Sequence, residues 1–183
     1  WYHLGRVRYQ QGKVDAAIAA FQELLRRDPN DVKGHDNLGL CFEAKNQSDA
    51  ALAEYRKAVA LDGGTSTNNE QPYVNLGKLL TAMNQASDGL PLLEHAVQMA
   101  PQSASAHYEL ARAELSLGRL EPAKKDVEES VKLDQSNSAS HYLLGRIYKR
   151  LGQSEQADAE FKLTEQLIRR QNASSGGMAT GRR

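Results

Sequence analysis

Tyr2 with Arg6, Tyr108 with Arg112 and Tyr142 with Arg146 are three copies of one pair, Tyr-x-x-x-Arg, spread along a chain of 183 residues. Residues four apart share one face of a helix, so each pair sets a guanidinium beside an aromatic ring. Arg offers two parallel donors to a carboxylate, and Tyr adds contact area at small conformational cost. That is the chemistry of holding a ligand, not of making bonds. Tyr9 follows Arg6 by three positions, Lys149 follows Arg146 by three, and Lys78 extends the basic row. Residue types that could do catalysis are present without the spacing it needs. No two of the five histidines stand four apart as in H-E-x-x-H, and Glu94-His95 lacks a second ring. Gly63-Gly64-Thr65-Ser66-Thr67 has no Lys after it, and no serine sits in a G-x-S-x-G elbow. Asn172-Ala173-Ser174 fits a glycosylation acceptor, a triplet common by chance.

The elements that would carry these residues repeat. Leu4-Gly5, Leu38-Gly39, Leu76-Gly77, Leu110-Ala111 and Leu144-Gly145 are separated by 34, 38, 34 and 34 residues. Around each mark the same series recurs: Trp1, Leu4, Gly5, Gly12, Ala17, Phe21, Leu24 and Pro29, then His35, Leu38, Gly39, Phe42, Asn46, Ala51, Tyr55 and Ala58. Steps of three, four and seven put the apolar groups on one helical stripe, and the small residues let two helices approach closely. His35, His107 and His141 take the place that Trp1 holds, so packing between helices accounts for them. Asp28-Pro29-Asn30-Asp31 and Ala100-Pro101-Gln102-Ser103 are turn clusters at unit junctions.

This pattern resembles the tetratricopeptide repeat, W-x-x-L-G-x-x-Y…A-x-x-x-F…P, over about residues 1–168. The resemblance implies an all-α, right-handed superhelical solenoid of antiparallel helix pairs, whose first helices line a concave groove. The units fall near 1–30, 31–65, 70–103, 104–137 and 138–168. The groove would then receive Tyr2, Arg6 and Tyr9; Lys33, Asp36, Asn37 and Glu43; Val74, Asn75, Lys78 and Thr81; Tyr108, Arg112 and Leu115; and Tyr142, Arg146 and Lys149. Some family members grip the carboxylate end of chaperone tails with Lys, Asn, Asn, Lys and Arg. Asn37 matches the middle asparagine. Tyr2 and Arg6 replace the first two residues, and Gln71 and Asn75 the last two, so chaperone-tail binding is not implied.

Two irregularities fall together. Four extra residues lie within a polar, Gly-rich stretch, expected as an inserted loop at 63–71. The second helix of the third unit has Gly89 where its sisters have Ala, and Pro91 two residues later. A late start capped by Asp88 would place Pro91 in the first turn. The segment 172–183 is small, polar and Gly-rich and is expected to be a disordered tail.

With 40% hydrophobic and 25% charged residues, zero formal charge and a mean hydropathy of −0.62, nothing draws the chain in bulk to nucleic acid or an anionic membrane. No apolar run approaches the ~18 residues of a membrane span. Cys41 stands alone, which excludes an internal disulfide and suits a packed thiol. Trp1 already occupies a repeat position, as expected of a piece of a longer protein. The residues therefore describe a non-enzymatic scaffold for a protein or peptide partner, an acidic one, with no cofactor or metal. The alternatives are a substrate-recruiting arm of a larger enzyme and self-association through uncapped solenoid ends. The far-ultraviolet circular dichroism spectrum should show helix far above the roughly one-third typical of soluble domains. A spectrum dominated by strand would overturn this reading.

Overall fold

The computed structural model describes residues 1–63 and 69–177, and among them the regular structure is ten helices. They are α1 Tyr2–Gln10, α2 Val14–Arg27, α3 Val32–Ala44, α4 Ser48–Asp62, α5 Gln71–Ala82, α6 Ala86–Met99, α7 Ala104–Ser116, α8 Leu120–Leu133, α9 Ser138–Arg150 and α10 Ser154–Gly177. No helix among the described residues is long and apolar enough to cross a membrane. The chain divides into two compact units, Trp1–Pro101 with α1 to α6 and Gln102–Arg183 with α7 to α10. Within each unit, successive helices pack as hairpins, and each second helix also packs against the first helix of the next hairpin. The first helices touch side by side, α1 with α3 and α3 with α5 in one unit and α7 with α9 in the other.

The hairpin turns follow from one backbone requirement. Gly12, Asn46, Asn84, Gly118 and Gly152 all have positive φ, between 57° and 76°. Only Gly and, less readily, Asn accept that left-handed conformation, which stops the first helix and reverses the chain in a few residues. Past the turn the two helices close on a second conserved geometry. A Cβ on Gly5, Gly39, Gly77 or Gly145 would lie 2.5–2.7 Å from Phe21, Tyr55, Leu93 or Phe161, each sixteen positions later. Those side chains fill the place the missing methyl leaves. The fourth hairpin has Ala111 and, sixteen later, the smaller Val127, both fully buried. Cores then form between neighbouring hairpins: Ala17, Phe21, Leu38 and Cys41 in one, Ala51, Tyr55, Leu76, Leu79 and Leu80 in the next. Ala123, Val127, Leu143, Leu144 and Ile147 form the core of the second unit. Burying each large side chain contributes roughly 1.5–3 kcal/mol, so stability is spread along the chain and not gathered at one centre.

The histidines bridge helices. His35 Nδ1 meets Glu54 at 2.6 Å, His107 Nδ1 meets Asp126 at 2.8 Å and His141 Nδ1 meets Glu160 at 2.7 Å, always nineteen residues on. The other ring nitrogens of His35 and His141 face the carbonyls of Pro29 and Gln135. Burial pushes the Cys41 thiol up to about 11, as suits a packed group.

Three expectations need adjustment. The inserted loop is non-helical at Gly63 and at residues 69–70, Gln71 already opens α5, and residues 64–68 lie outside the described residues. α10 continues to Gly177, so the expected disorder from 172 is helix over 172–177, while 178–183 lie outside the described residues. Extending an existing helix fixes one residue per bond gained, with no new nucleation, so weak helix formers such as Asn172 can be carried along.

The late start of α6 is corrected as well. It begins at Ala86 and carries Pro91 inside it. Ala86, Gly89, Leu90, Leu93 and Ala96 are its buried face, and a start at Asp88 would remove Ala86 from that face. The Gln85 carbonyl receives the Asp88 and Gly89 N–H groups. The carbonyl that Pro91 cannot serve belongs to Ser87, an exposed residue open to water. Gly89 is fixed by contact: a Cβ there would come 2.7 Å from the Gly77 carbonyl. Helix propensity alone would favour Gly89→Ala by up to about 1 kcal/mol. The contact reverses the sign, and the variant should be less stable by about 1–2 kcal/mol in thermal or urea unfolding. A gain in stability would show that α5 and α6 have room to separate.

Candidate functional site

In the first unit, α1 and α3 bring Tyr2, Arg6, Lys33, Asp36, Asn37 and Leu40 around an open recess of about 250 Å³, which Asn69 and Gln71 also line. The Arg6 guanidinium lies over the Tyr2 ring, 5.9 Å from its centre. Neither Arg6 nor Lys33 makes an ion pair among the described residues, while many other cations of this chain do. The recess thus holds two uncommitted positive heads, amides from Asn37, Asn69 and Gln71, and one carboxylate.

That carboxylate, Asp36, is only 5% exposed. It accepts the Asn75 Nδ2–H at 2.8 Å, and the Asn75 carbonyl oxygen accepts from Gln71 at 3.1 Å. Burial pushes the Asp36 carboxyl up to about 6; the Asn75 bond and the Lys78 charge work against the rise, and Glu43 adds to it. Further along α3, Glu43 is held by Lys78 at 2.8 Å and by the Tyr55 hydroxyl at 2.8 Å. Burial is the largest cause holding the Tyr55 hydroxyl in its neutral form, with Glu43 next.

The anticipated site residues therefore separate by role. Tyr2, Arg6 and Asn37 come together at the recess, where Asn37 donates its Nδ2–H to the Lys33 carbonyl at 2.8 Å. Asn75 orients Asp36, and Lys78 is neutralised by Glu43, so neither offers a free head. Tyr9 is a 37% exposed ring outside the recess lining. Lys33 and Asp36 are on the groove stripe expected from the sequence, but the burial of Asp36 and its place beside Arg6 appear only in three dimensions, and Asn69 lies in the inserted stretch, where helical periodicity gives no signal.

In the second unit, Arg112 lies 5.9 Å over Tyr108 and Arg146 lies 6.0 Å over Tyr142. Their commitments differ. Arg112 donates to Glu109 at 2.6 Å, whereas Arg146 makes no ion pair among the described residues. The Tyr142 ring is 51% exposed and rests on Phe161, with ring centres 5.7 Å apart. Burial raises the Tyr108 hydroxyl, countered by the charges of Arg112 and Arg146 and reinforced by Glu109. Lys149 and Arg150 are exposed on α9, and Arg150 also donates to the Leu115 carbonyl at 3.1 Å.

The buried Asp36 has a cost with a definite pH window. Its folded ionisation, near 6, lies above the ordinary 3.8, so the folded chain binds a proton that the unfolded chain releases between those values. Stability from this group is complete below about pH 4 and is lost as pH rises through 6. Asp36→Asn keeps an acceptor for Asn75 and removes the charge. At pH 7.5 it should be more stable than the natural chain by on the order of 3 kcal/mol at most, with the difference closing by pH 4 in urea titrations. A variant less stable at pH 7.5 would contradict this.

Comparison with known proteins agrees with the geometry. Family models described as tetratricopeptide repeat match residues 2–65, 80–128 and 127–159. Protein FlbA of Caulobacter vibrioides is 25% identical over 125 residues, 68% of this chain, and the chain spans 20% of that protein's length. Among solved structures, the crystal structure of MamA superimposes with a TM-score of 0.75 at 22% identity, over 93% of this chain and 97% of that one. PilF of Pseudomonas aeruginosa gives 0.80 at 22% identity, over 90% and 73%. YrrB, described as a TPR protein with an unusual peptide-binding site, gives 0.69 at 18% identity, over 89% and 82%. The left-handed turns, the Gly-on-ring contacts and the matched models together make this chain a member of the tetratricopeptide repeat family.

Proposed function

We propose that the chain is a non-enzymatic scaffold that holds an acidic peptide or protein segment on the open faces of its first helices. The observation that carries this is the pair of unneutralised cations, Arg6 and Lys33, at a recess also lined by Tyr2 and three side-chain amides. A carboxylate placed there gains charge-assisted hydrogen bonds, and an extended backbone gains donors and acceptors from the amides. Arg146 with Tyr142 offers a second, more exposed foothold of the same kind in the second unit. The unusual peptide-binding site described for YrrB is a precedent for this use of the fold.

A second reading keeps the binding role but places it inside a larger machine, as a substrate-recruiting arm. The observation favouring it is that the chain covers only 20% of the length of the matched FlbA. The sequence of the parent protein separates the two readings: a catalytic motif set in the same polypeptide supports the arm. Self-association is a third reading, motivated by the exposed Leu4 and Val7 three apart on α1, at 41% and 47%. Light scattering across concentration tests it.

The affinity of a tetraglutamate peptide, measured by fluorescence anisotropy, should fall as salt rises, because exposed heads are screened over ~8–10 Å. Arg6→Ala and Arg146→Ala should each cost about 1–2 kcal/mol of binding. Arg112→Ala should cost less, since that guanidinium is already engaged by Glu109. Lys125→Ala on α8, an exposed cation away from the first helices, is the control and should change nothing. Binding indifferent to salt and to both arginines would refute the acidic-ligand reading.

A further inference from the structure

We propose that the recess in the first unit takes a ligand carboxylate together with a proton, shared between that carboxylate and Asp36. This rests on the acidic-ligand reading and adds to it a pH-dependent discrimination.

Asp36 is an unexpected residue for an anion site. It lines the same recess as Arg6 and Lys33, and in ionised form it opposes the ligand those two attract. Its surroundings resist that ionised form. The side chain is 5% exposed and has one fixed donor, Asn75 Nδ2, which Gln71 in turn orients. The charged and titratable groups around it are Arg6 and Tyr2 from α1, Lys33 and Glu43 from its own helix, Tyr55 from α4 and Lys78 from α5. The Lys78 charge offsets this only in part, because its ammonium is held by Glu43 at 2.8 Å. Glu43 adds repulsion of its own. The neighbouring His35 is not a partner: it pairs with Glu54 on α4.

With Asp36 ionised, Arg6, Lys33 and Asp36 sum to a single positive charge; with Asp36 protonated, they sum to two. The proton also turns Asp36 from an acceptor into a donor. Two carboxyl groups brought close cannot both ionise, and one proton held between them makes a short O–H···O⁻ bond. The ligand supplies the carboxylate and solvent supplies the proton, so no other reactant is needed. The free recess changes protonation state near pH 6, where exposed peptide carboxylates remain ionised. Binding should therefore tighten on mild acidification, while the ligand itself is unchanged.

The test uses the whole chain and a tetraglutamate peptide carrying a pH-insensitive rhodamine, at constant salt. Affinity should rise about tenfold between pH 7.5 and pH 5.5, the coupling expected of one pKa unit. Calorimetry at pH 6.5 in buffers of different ionisation enthalpy should show net proton uptake on binding. Asp36→Asn should bind with an affinity that no longer changes over this pH range, and circular dichroism should confirm its helix content. If binding is lost in Arg6→Ala yet the natural chain takes up no proton, or if Asp36→Asn keeps the full pH dependence, this inference is wrong and the acidic-ligand reading stands. If the peptide binds at no pH, the acidic-ligand reading itself fails and takes this inference with it.

Discussion

The contact on which the rest of the structure depends is the one between a residue without a side chain on the first helix of a hairpin and a large apolar group sixteen positions later on the second. Gly5 under Phe21, Gly39 under Tyr55, Gly77 under Leu93 and Gly145 under Phe161 bring the paired helices closer than any Cβ would permit. A glycine inside a helix costs roughly 1 kcal/mol against alanine, and the buried ring or leucine more than offsets it. The fourth hairpin shows the rule by varying both members, with Ala111 against Val127. Volume is conserved while its division between the helices shifts.

Close pairing has a consequence for polar groups. Side chains between the two helices of a hairpin must be apolar or mutually satisfied, and the histidine–carboxylate pairs meet that demand at three equivalent places. First helices also meet one another side by side, and the recess of the first unit lies where α1 and α3 do so. In the first unit some of them turn back on each other, as Lys78 does on Glu43. What is left facing outward, Arg6 and Lys33, is a small residue of the charge the sequence displays.

The third hairpin shows how packing overrules local preference. Gly89 and Pro91 both weaken a helix, and together they favour a late start. Yet α6 runs from Ala86 because its apolar face begins there, and Gly89 accommodates the Gly77 carbonyl. The weak point is placed where the orphaned carbonyl meets solvent.

Much of this was legible from the sequence, because a repeat states the same physical problem five times. A period of 34, the glycine or asparagine at each turn and the small-residue stripes define hairpins that can close in only one way. Helix positions and core residues followed from that periodicity. The pairs Tyr2–Arg6, Tyr108–Arg112 and Tyr142–Arg146 were also local, since a four-residue step fixes their geometry within one helix. Which charges remain free was not local. Lys78 meets Glu43, Asn75 meets Asp36 and Arg112 meets Glu109, and two of these three partnerships join different helices. The sequence shows a row of cations, but only the packed helices decide which are already neutralised. Asp36 makes the point most plainly: as one acid on a helix it is unremarkable in the chain, and its burial beside Asn75, which gives it its altered ionisation, exists only once α3 and α5 are packed together.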